Sequence, residues 1–385
     1  MKIIIIGAGI GGLTAAIALQ RQGHEAIVYE AAPELKPIGA GLWVAPNGQE
    51  VLRRLDPELL EAVCAAGFST DGASIMTTDG QVLSRVEAAA FRVPIARTLA
   101  IRRSELHRLL HAALQPGSVL LDHRLEAYEL GSEGVRARFA NGAEAQGDLL
   151  IGADGIHSLV RRQLFGEIPL RYSGQTCWRG LSPIRLSGEW ANKAAEIWGD
   201  APGLRAGFSH IAADLAYFYI TALSEPGRHE GPEQEKARLL QMLRGFPQVV
   251  SEMVEAIPVA DLIRSDLYDL PPLKQYCRGR VALLGDAAHA TTPNLGQGAN
   301  QAMESGLAMG NCLAGVQPDG LAAALQTYEQ RRIPKATSIV KTSWQFNQLI
   351  NLRSPLARKV RNFAIRHLPQ QMTLRQFEKI YTVSV

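Results

Sequence analysis

Three glycines near the start of the chain have the spacing of a nucleotide-binding turn. Gly7, Gly9 and Gly12 form a GxGxxG pattern, directly after the apolar run at residues 3–6 and before a helix-like stretch that ends at Gly23. In such a unit the first glycine permits a tight turn, the second lets the backbone approach a pyrophosphate, and the third allows the helix to pack closely on the sheet. The N-terminus of the helix adds partial positive charge. The spacing therefore predicts a dinucleotide site.

An acidic residue completes this unit. Residues 24–30 predict a second strand that ends at Glu30, whose carboxylate can accept two hydrogen bonds from an adenosine ribose and would repel a 2′-phosphate. The order strand, glycine turn, helix, strand and acid is far more specific than a lone glycine pattern. The unit fits NAD and FAD equally well, so the rest of the chain must decide between them.

Two later segments each bring an aspartate to the end of a predicted strand. Asp154 follows the apolar residues 149–152, and Asp286 follows the apolar residues 281–284. Ligands dock at the carboxyl ends of strands in open α/β sheets. A glycine-rich segment at residues 293–300 then opens a predicted helix, where backbone N–H groups can contact a flat, anionic ring system. Together the three segments predict an α/β fold built around a large cofactor.

The same residues carry a resemblance to a known family. The glycine turn with Glu30, the Gly-Ala-Asp-Gly segment at residues 152–155 and the Gly-Asp-Ala-Ala-His segment at residues 285–289 resemble the single-component (class A) FAD-dependent aromatic hydroxylases, typified by para-hydroxybenzoate hydroxylase. The resemblance implies a Rossmann-like FAD-binding domain, an inserted mixed or antiparallel sheet that forms the substrate domain, and C-terminal helices. The expected limits are 1–72, 100–170 and 277–345 for the discontinuous FAD-binding domain, 73–99 and 171–276 for the substrate domain, and 346–385 for a basic helical segment.

The resemblance also implies which residues bind FAD. Asp286 would bond the ribityl or phosphate region, residues 296–300 would lie along the isoalloxazine, and Asp154 would support the pyrophosphate region and any NAD(P)H binding. Arg103 matches an arginine that contacts FAD, although a first-turn surface arginine or a role for Arg102 stays open. The full set expected at the cofactor is Gly7, Gly9, Gly12, Glu30, Ala31, Arg103, Leu125, Asp154, Asp286, Pro293, Gly296, Gln297, Gly298, Ala299 and Asn300.

On the substrate side the segments at 173–181, 198–200 and 205–208 resemble the hydroxylases of nitrogen heterocycles, in particular 2-alkyl-4-quinolone 3-hydroxylase and urate hydroxylase. Arg205 matches a pocket-side arginine and Tyr217 a tyrosine that faces the flavin, and both are expected to be catalytic. A guanidinium can stabilise a ring carbonyl that becomes enolate-like; the alternative is an ion pair on the sheet surface. Asn294 stands where urate hydroxylase has an aspartate. An amide cannot hold that charge, which argues against urate and leaves quinolone-like rings and salicylate-like phenols open.

The activity implied by the resemblance is an NAD(P)H- and O2-dependent hydroxylation. NADH or NADPH would reduce FAD as a transient visitor, and a flavin C4a-hydroperoxide would transfer oxygen to an aromatic or N-heteroaromatic small molecule. The cofactor carries the difficult chemistry, so the protein must position the substrate and exclude water. Two alternatives stay open: a hydroxylase or epoxidase of a lipophilic quinone or isoprenoid precursor, and a non-enzymatic FAD redox scaffold.

Composition excludes several other classes. Forty Lys and Arg against 37 Asp and Glu leave a net charge of +3, which offers no case for nucleic-acid binding. The four cysteines are scattered and predict no disulfide framework, and no metal-binding signature is present. No apolar run approaches the roughly 18 residues of a membrane span, so a cytoplasmic monomer or homodimer is expected.

The C-terminal segment differs in charge from the rest. Residues 351–385 hold seven Lys and Arg and one acid, Glu378. Such a segment predicts either a solvated helical face or subunit contact, or docking on a membrane surface that supplies a lipophilic substrate.

Overall fold

The computed structural model describes residues 1–36, 39–91, 95–131, 134–228 and 230–385. The strands are β1 Lys2–Ile6, β2 Glu25–Tyr29, β3 Gly41–Val44, β4 Phe68–Thr70, β5 Gly72–Thr77, β6 Val82–Glu87, β7 Thr98–Arg102, β8 Val119–Leu120, β9 Leu125–Leu130, β10 Val135–Phe139, β11 Glu144–Gly147, β12 Leu149–Gly152, β13 Arg171–Ser182, β14 Ala194–Trp198, β15 Arg205–Ala212, β16 Leu215–Leu223, β17 Ile263–Asp269, β18 Cys277–Arg278 and β19 Val281–Leu283. The helices are α1 Ile10–Arg21, α2 Pro46–Leu55, α3 Pro57–Ala66, α4 Arg103–Ala112, α5 Leu159–Phe165, α6 Pro232–Met242, α7 Gln248–Ala256, α8 Asp286–His289, α9 Gly298–Leu313, α10 Leu321–Ile350, α11 Pro355–Arg366 and α12 Gln370–Tyr381.

A central sheet carries the predicted nucleotide-binding unit. Its strand order is β18-β19-β12-β1-β2-β8, and all neighbours are parallel except the edge pair β18–β19. The four isoleucines of β1 are buried, as expected for a strand in the middle of a parallel sheet that is covered on both faces. Because β1, β12 and β19 run in one direction, the segments that follow them lie at the same edge of the sheet.

Helices α1 and α9 pack against each other, and small residues bring them together. A Cβ on Gly306 would lie 2.8 Å from the backbone nitrogen of Ala15, and one on Gly310 would lie 2.6 Å from the Cβ of Ala18. Both distances are below ordinary van der Waals contact, so the close approach of α9 to α1 requires glycine at these positions.

A second sheet contains seven strands, in the order β17-β13-β16-β15-β14-β5-β6. All neighbours are antiparallel except β14 and β5. One face is apolar and packs against α6 and α7, with Phe208, Phe218 and Met253 in the same buried cluster. The side chains alternate along each strand, so the neighbouring positions 205, 207, 209, 217, 219 and 221 share the opposite face.

A buried ion pair ties the C-terminus to the core. The carboxylate of Glu304 on α9 accepts hydrogen bonds from Arg332 Nη1 at 2.9 Å and from Lys335 Nζ at 2.7 Å, and both cations lie on α10. Arg332 Nη1 also donates to the carbonyl oxygen of Ser384, and Lys335 Nζ to that of Thr382. Since buried charges are stable only when paired, these contacts fix the last residues against α9 and α10.

We keep the predicted domain limits as a proposal, which the sheet membership supports. Strands β5 and β6 join the second sheet, although they precede most of the central sheet in sequence. The limit at residue 346 falls inside α10, which continues to Ile350. Residues 92–94 and 229 of the predicted substrate domain lie outside the described residues. None of the described helices has the length and apolar character required to cross a membrane.

Candidate active site

The glycine turn between β1 and α1 has the geometry that its spacing predicts. Gly7 has a φ of +105°, and a Cβ there would lie 2.6 Å from the carbonyl oxygen of Ala153. A Cβ on Gly12 would collide with the carbonyl oxygen of Gly7. In contrast, a Cβ on Gly9 would meet no protein atom within 4 Å. Gly7 and Gly12 are therefore required by the protein itself, whereas Gly9 faces open space at the N-terminus of α1.

Glu30 lies directly beside this turn. One carboxylate oxygen accepts a hydrogen bond from the backbone N–H of Ala8 at 2.7 Å, and the other accepts from the N–H of Ala32 at 2.9 Å. Ala31, the residue between Glu30 and Ala32, is half-buried. On the other side of the turn, the imidazole of His107 donates to the carbonyl oxygen of Ala8 at 2.6 Å. Glu30 is thus fixed beside the turn by two backbone N–H groups, and its role at a ribose stays a prediction.

Asp286 and Arg103 face each other across a crevice at the same sheet edge. Asp286 is the first residue of α8, and its side chain is exposed to solvent although protein surrounds it on most sides. This enclosure raises the pKa of the Asp286 carboxyl, and the positive charge of Arg103 partly offsets the rise. Arg103 begins α4 and is exposed, and its side chain lies against Gly39, which has a φ of +118°. The charge of Arg103 acts on Asp286, whereas that of Arg102 acts on Glu105, so contact of Arg103 with FAD is the prediction we keep.

In the glycine-rich segment before α9, some positions face open space and others are held by hydrogen bonds to the protein. A Cβ on Gly298 would meet no atom within 4 Å, and Pro293 is exposed. The amide of Asn300 is fully used, since it donates to the carbonyl oxygens of Trp43 and Gly296 and accepts from the N–H of Ala45 at 3.0 Å.

The remaining residues of this segment complete the start of α9. Gln297 is buried and accepts a hydrogen bond from the amide of Asn47 at 3.0 Å. Ala299, half-buried, lies between Gly298 and Asn300 in the first turn. Gly296 adopts the left-handed conformation with a φ of +61°, which glycine tolerates best. The side chains of Asn300 and Gln297 therefore hold the segment in place, and Gly298 leaves the N-terminus of α9 accessible.

Two expected cofactor residues have other partners. Asp154 accepts hydrogen bonds from the hydroxyl of Ser158 at 2.5 Å and from the N–H of Val160 at 3.0 Å, at the beginning of α5. Burial raises the pKa of its carboxyl. Leu125 begins β9, and its side chain is buried in the central core. Roles of Asp154 and of the Leu125 backbone at a cofactor remain predictions.

The crevice as a whole fits a dinucleotide that carries a flat ring system. The open positions at Gly9 and Gly298 lie at the N-termini of α1 and α9, and a Cβ on Gly11 would lie 3.1 Å from the Cβ of Ala302, which shows how close these two helix ends are. Helix N-termini attract anions, as a pyrophosphate requires. Glu30 and Arg103 add one acceptor and one cation at the same edge. The residues present therefore fit the chemistry of FAD.

On the facing sheet, Arg205 lies at the centre of a polar cluster. Its guanidinium is 1% exposed and donates through Nη1 to Glu196 at 3.1 Å, through Nε to Thr221 at 3.2 Å, and through Nη2 to the amide oxygen of Asn294. Burial is the largest single influence and lowers the pKa of this guanidinium, but Glu196, Tyr219 and Cys177 together outweigh it, so the net effect raises the pKa. Arg205 does form an ion pair on this sheet, with Glu196, but the pair is buried and not on the sheet surface; a catalytic role of Arg205 stays a prediction.

Asn294 is held in one orientation. Its amide nitrogen donates to the hydroxyl of Thr292 and to the carbonyl oxygen of Ser343, each at 3.0 Å, while its oxygen accepts from Arg205. An aspartate at this position would direct a carboxylate oxygen at the carbonyl oxygen of Ser343. The acceptors around residue 294 therefore suit the amide of asparagine and not the aspartate of urate hydroxylase.

Tyr217 lies in an aromatic group between the sheet and β3. Its ring is 6.1 Å from that of Trp43 and 6.4 Å from that of Tyr219, and it closely approaches Gly41, where a Cβ would lie 2.6 Å from the ring. Burial raises the pKa of the Tyr217 hydroxyl, and burial together with Glu196 raises that of Tyr219. Both phenols therefore remain neutral at physiological pH.

Sequence reasoning missed the partners of Arg205. Tyr219 donates a hydrogen bond to Glu196, and its ring crosses Gly207, where no side chain would fit. Trp198 Nε1 donates to the same carboxylate at 2.5 Å. Glu196 has the pattern of an ordinary strand residue. Trp198 and Gly207 lie in the segments that resemble the heterocycle hydroxylases, and a glycine within a strand often marks a close approach.

Buried His289 predicts a pH dependence of stability. Its Nε2 lies 2.9 Å from the hydroxyl of Ser305, and burial, with a contribution from the positive Arg332, lowers its pKa to about 3. The unfolded chain binds this proton below about pH 6.5 and the folded chain does not, so stability is lost as pH falls from 6.5 towards 3. Between pH 7 and 4.5 the site should contribute a loss of about 2 to 3 kcal/mol.

Urea unfolding with saturating FAD at both pH values measures this loss. The variant His289→Gln should be less stable at pH 7 but should lose about 2 to 3 kcal/mol less than the wild type on acidification. His157→Gln, at an exposed histidine, is the matched control. Equal acid losses in the wild type and in His289→Gln would contradict the assignment.

Comparisons with known proteins agree with this geometry. The FAD binding domain family matches residues 1–343. Aurachin C monooxygenase/isomerase from Stigmatella aurantiaca is 35% identical over 91% of this chain and 89% of the relative. The 2-heptyl-3-hydroxy-4(1H)-quinolone synthase from Pseudomonas aeruginosa (strain UCBPP-PA14) is 34% identical over 99% of this chain and 98% of the relative. The crystal structure of Klebsiella pneumoniae HpxO complexed with FAD and uric acid has a TM-score of 0.91 and 28% identity, over 100% of this chain and 97% of that one. The predicted resemblance and fold are confirmed: the chain belongs to the FAD binding domain family and is an FAD-dependent monooxygenase of the aromatic hydroxylase type.

Proposed function

We propose that this enzyme hydroxylates an aromatic or N-heteroaromatic small molecule with electrons from NADH or NADPH and oxygen from O2. The names of the relatives support this proposal, because they refer to an aurachin and a 4(1H)-quinolone, and the solved neighbour binds uric acid. Bicyclic rings with a carbonyl group are the substrate class that this set favours. The observation that carries the proposal is the buried Arg205 on the sheet face that carries Tyr217 and Tyr219.

Arg205 has the charge and the donors to bind a ring carbonyl. A guanidinium has five N–H donors, and the protein acceptors Glu196, Thr221 and Asn294 engage its three nitrogens. Nη1 donates to both carboxylate oxygens of Glu196, so the second N–H on Nη2 is the donor that can reach a substrate. In a site of low polarity this charge stabilises negative charge that develops on the carbonyl oxygen during oxygen transfer. Arg205 is enclosed, so a substrate would reach it only after local rearrangement of neighbouring side chains.

The other site residues would orient the ring and keep water out. When bound, FAD supplies electron transfer from reduced nicotinamide and the activation of O2. Tyr217 and Trp43 offer aromatic faces and edges against which a flat substrate can pack. Since the hydroxyl of Tyr217 stays protonated, it can donate a hydrogen bond to a substrate or cofactor oxygen. Glu196 would keep Arg205 extended across β14 and β15.

Asn294 favours a substrate other than urate. The amide accepts from Arg205 and donates to neutral oxygens, so it adds no negative charge near the ring. A neutral site suits quinolone-like rings, and salicylate-like phenols are the second class to test. Contact with a membrane through residues 351–385 belongs to the same proposal, because a quinolone with an alkyl chain, or a quinone or isoprenoid precursor, partitions into lipid.

Anaerobic reduction of the enzyme-bound flavin tests the proposed function. Reduction by NADH and by NADPH is followed at the flavin absorbance band, with 2-alkyl-4-quinolones, urate and salicylate added in turn. We expect one ring class to accelerate reduction at least about tenfold and to yield hydroxylated product in air. Flavin reduction that no ring compound accelerates, and NAD(P)H oxidation without product, would contradict the proposal and favour the redox-scaffold alternative.

A further inference from the structure

Helix α11 (Pro355–Arg366) has two faces of different character. The inner face packs on the second sheet through Ile365, in a cluster with Leu83 and Trp198. The buried guanidinium of Arg361 lies over the ring of Trp198, 4.4 Å from its centroid, and donates through Nη1 to the carbonyl oxygen of Leu349 at 2.9 Å. The helix is thus fixed to the protein with a defined orientation, and its other face is presented to solvent.

The outer face carries an apolar stripe. Leu356 is 71% exposed, Val360 60% and Phe363 65%. These residues are spaced by four and three positions, so they lie in one row along the helix. The ring of His367 follows in the same row, 4.1 Å from that of Phe363. Large apolar side chains with such exposure are common singly, but a continuous row of them indicates an interaction surface.

Positive charge surrounds the stripe. Lys359 and Arg366 lie on α11 and are exposed, and α11 contains no acidic residue. Arg353, just before the helix, and Arg375 on α12 are exposed as well. The seven cations of residues 351–385 contrast with the rest of the chain, in which acids outnumber bases. An apolar row among cations matches a surface that is apolar inside and anionic outside.

We infer that the outer face of α11 docks on an anionic lipid bilayer. Leu356, Val360 and Phe363 would enter the boundary between headgroups and acyl chains, and Lys359 and Arg366 would contact anionic headgroups. A helix that lies in the plane of the interface binds by this combination of apolar contact and charge attraction. The charge complementarity selects a bilayer over a second copy of the chain, because two such basic faces would repel each other.

The docking face lies close to the proposed substrate site. Arg361 on the inner face of α11 contacts Trp198, whose indole donates to Glu196, which in turn pairs with Arg205. A bilayer on the outer face would therefore be one helix and two side chains from Arg205. This placement rests on the proposed function and would allow an alkylated ring to reach the site from lipid, whereas docking itself does not depend on the reaction.

Cosedimentation of the FAD-loaded full chain with vesicles tests the inference. Vesicles of phosphatidylcholine with 30% phosphatidylglycerol are compared with vesicles of phosphatidylcholine alone, each at low and at physiological salt. We expect at least about tenfold tighter binding to the anionic vesicles, weakened by salt. The double variant Leu356→Ser with Phe363→Ser should lose at least about tenfold in affinity. Leu130→Ser, at an equally apolar side chain that is 51% exposed on β9, should bind as the wild type does.

Several outcomes would overturn docking. They are absence of vesicle binding, equal binding to both vesicle types, and unchanged binding of the double variant. A wild-type dimer that the double variant converts to monomer, with no vesicle binding, would assign the face to subunit contact instead. Flavin reduction with a water-soluble ring compound is measured on the same samples. Its failure alongside normal vesicle binding would remove the proposed function and leave docking intact.

Discussion

Replacing Gly9 with valine is expected to yield a folded protein that purifies with at least tenfold less FAD than the wild type. Gly9 has a φ of −69° and a ψ of 173°, which any L-residue adopts, and its Cβ position meets no protein atom within 4 Å. Valine therefore fits the protein. Its side chain would instead occupy the space through which a pyrophosphate approaches the N-terminus of α1. The ratio of flavin to protein absorbance measures the effect, and thermal unfolding without added FAD shows that the fold is kept.

Two further variants separate cofactor binding from folding. Gly12→Val should fail to fold, because a side chain at residue 12 collides with the carbonyl oxygen of Gly7. Asp286→Ala should fold and bind FAD weakly, since the variant removes an exposed carboxylate in the crevice beside Arg103. Normal flavin content in both Gly9→Val and Asp286→Ala would remove the assignment of this crevice to FAD.

Replacing Arg205 with alanine is expected to preserve FAD and to uncouple NAD(P)H oxidation from hydroxylation. The variant removes the charge that would stabilise the substrate carbonyl during oxygen transfer, and loss of one such group lowers kcat by roughly 10²–10³. The variant also leaves the carboxylate of Glu196 without its cation in a buried site, which costs about 3–5 kcal/mol of stability. The ratio of hydroxylated product to NAD(P)H consumed measures coupling, and urea unfolding measures stability.

Matched variants distinguish the two effects. Arg205→Gln combined with Glu196→Gln removes both charges, so it should recover much of the stability and remain uncoupled. Arg205→Lys keeps one charge but cannot reach Glu196, Thr221 and Asn294 together, and partial coupling is expected. Arg171→Ala is the control, because Arg171 forms a bidentate pair with buried Asp269 in the same sheet. Full coupling in Arg205→Ala would show that Arg205 has no part in the reaction.

Much of the cofactor side could be predicted because it depends on short stretches of chain. The turn around Gly7 and Gly12, the helix that follows and Glu30 at the end of β2 lie within thirty residues, and each has a local backbone reason for its residue type. Strand β12 before Asp154 and strand β19 before Asp286 were likewise recognisable from apolar runs that end in glycine and aspartate. The carboxylate of Asp154 bonds Ser158 and Val160 at the start of α5, and its role at a cofactor stays a prediction.

The substrate side could be predicted only in part, from the family resemblance that singled out Arg205 and Tyr217. Glu196, Arg205 and Tyr219 lie on three strands and Asn294 before α9, so their contacts span 9 to 89 positions of the chain. No local pattern records such pairings, because an antiparallel sheet sets them through its register and through the room that Gly207 leaves for a ring.

The sequence by itself determined the dinucleotide-binding unit, the α/β class and the charge of the C-terminal segment, since these follow from backbone conformation, periodicity and composition over neighbouring residues. Only the tertiary structure decided that Arg205 is buried and paired, that Asn294 is oriented by Ser343, and that Leu356, Val360 and Phe363 remain outside the core. Burial and pairing depend on which distant elements pack together, and the free energy of that packing is a property of the whole fold.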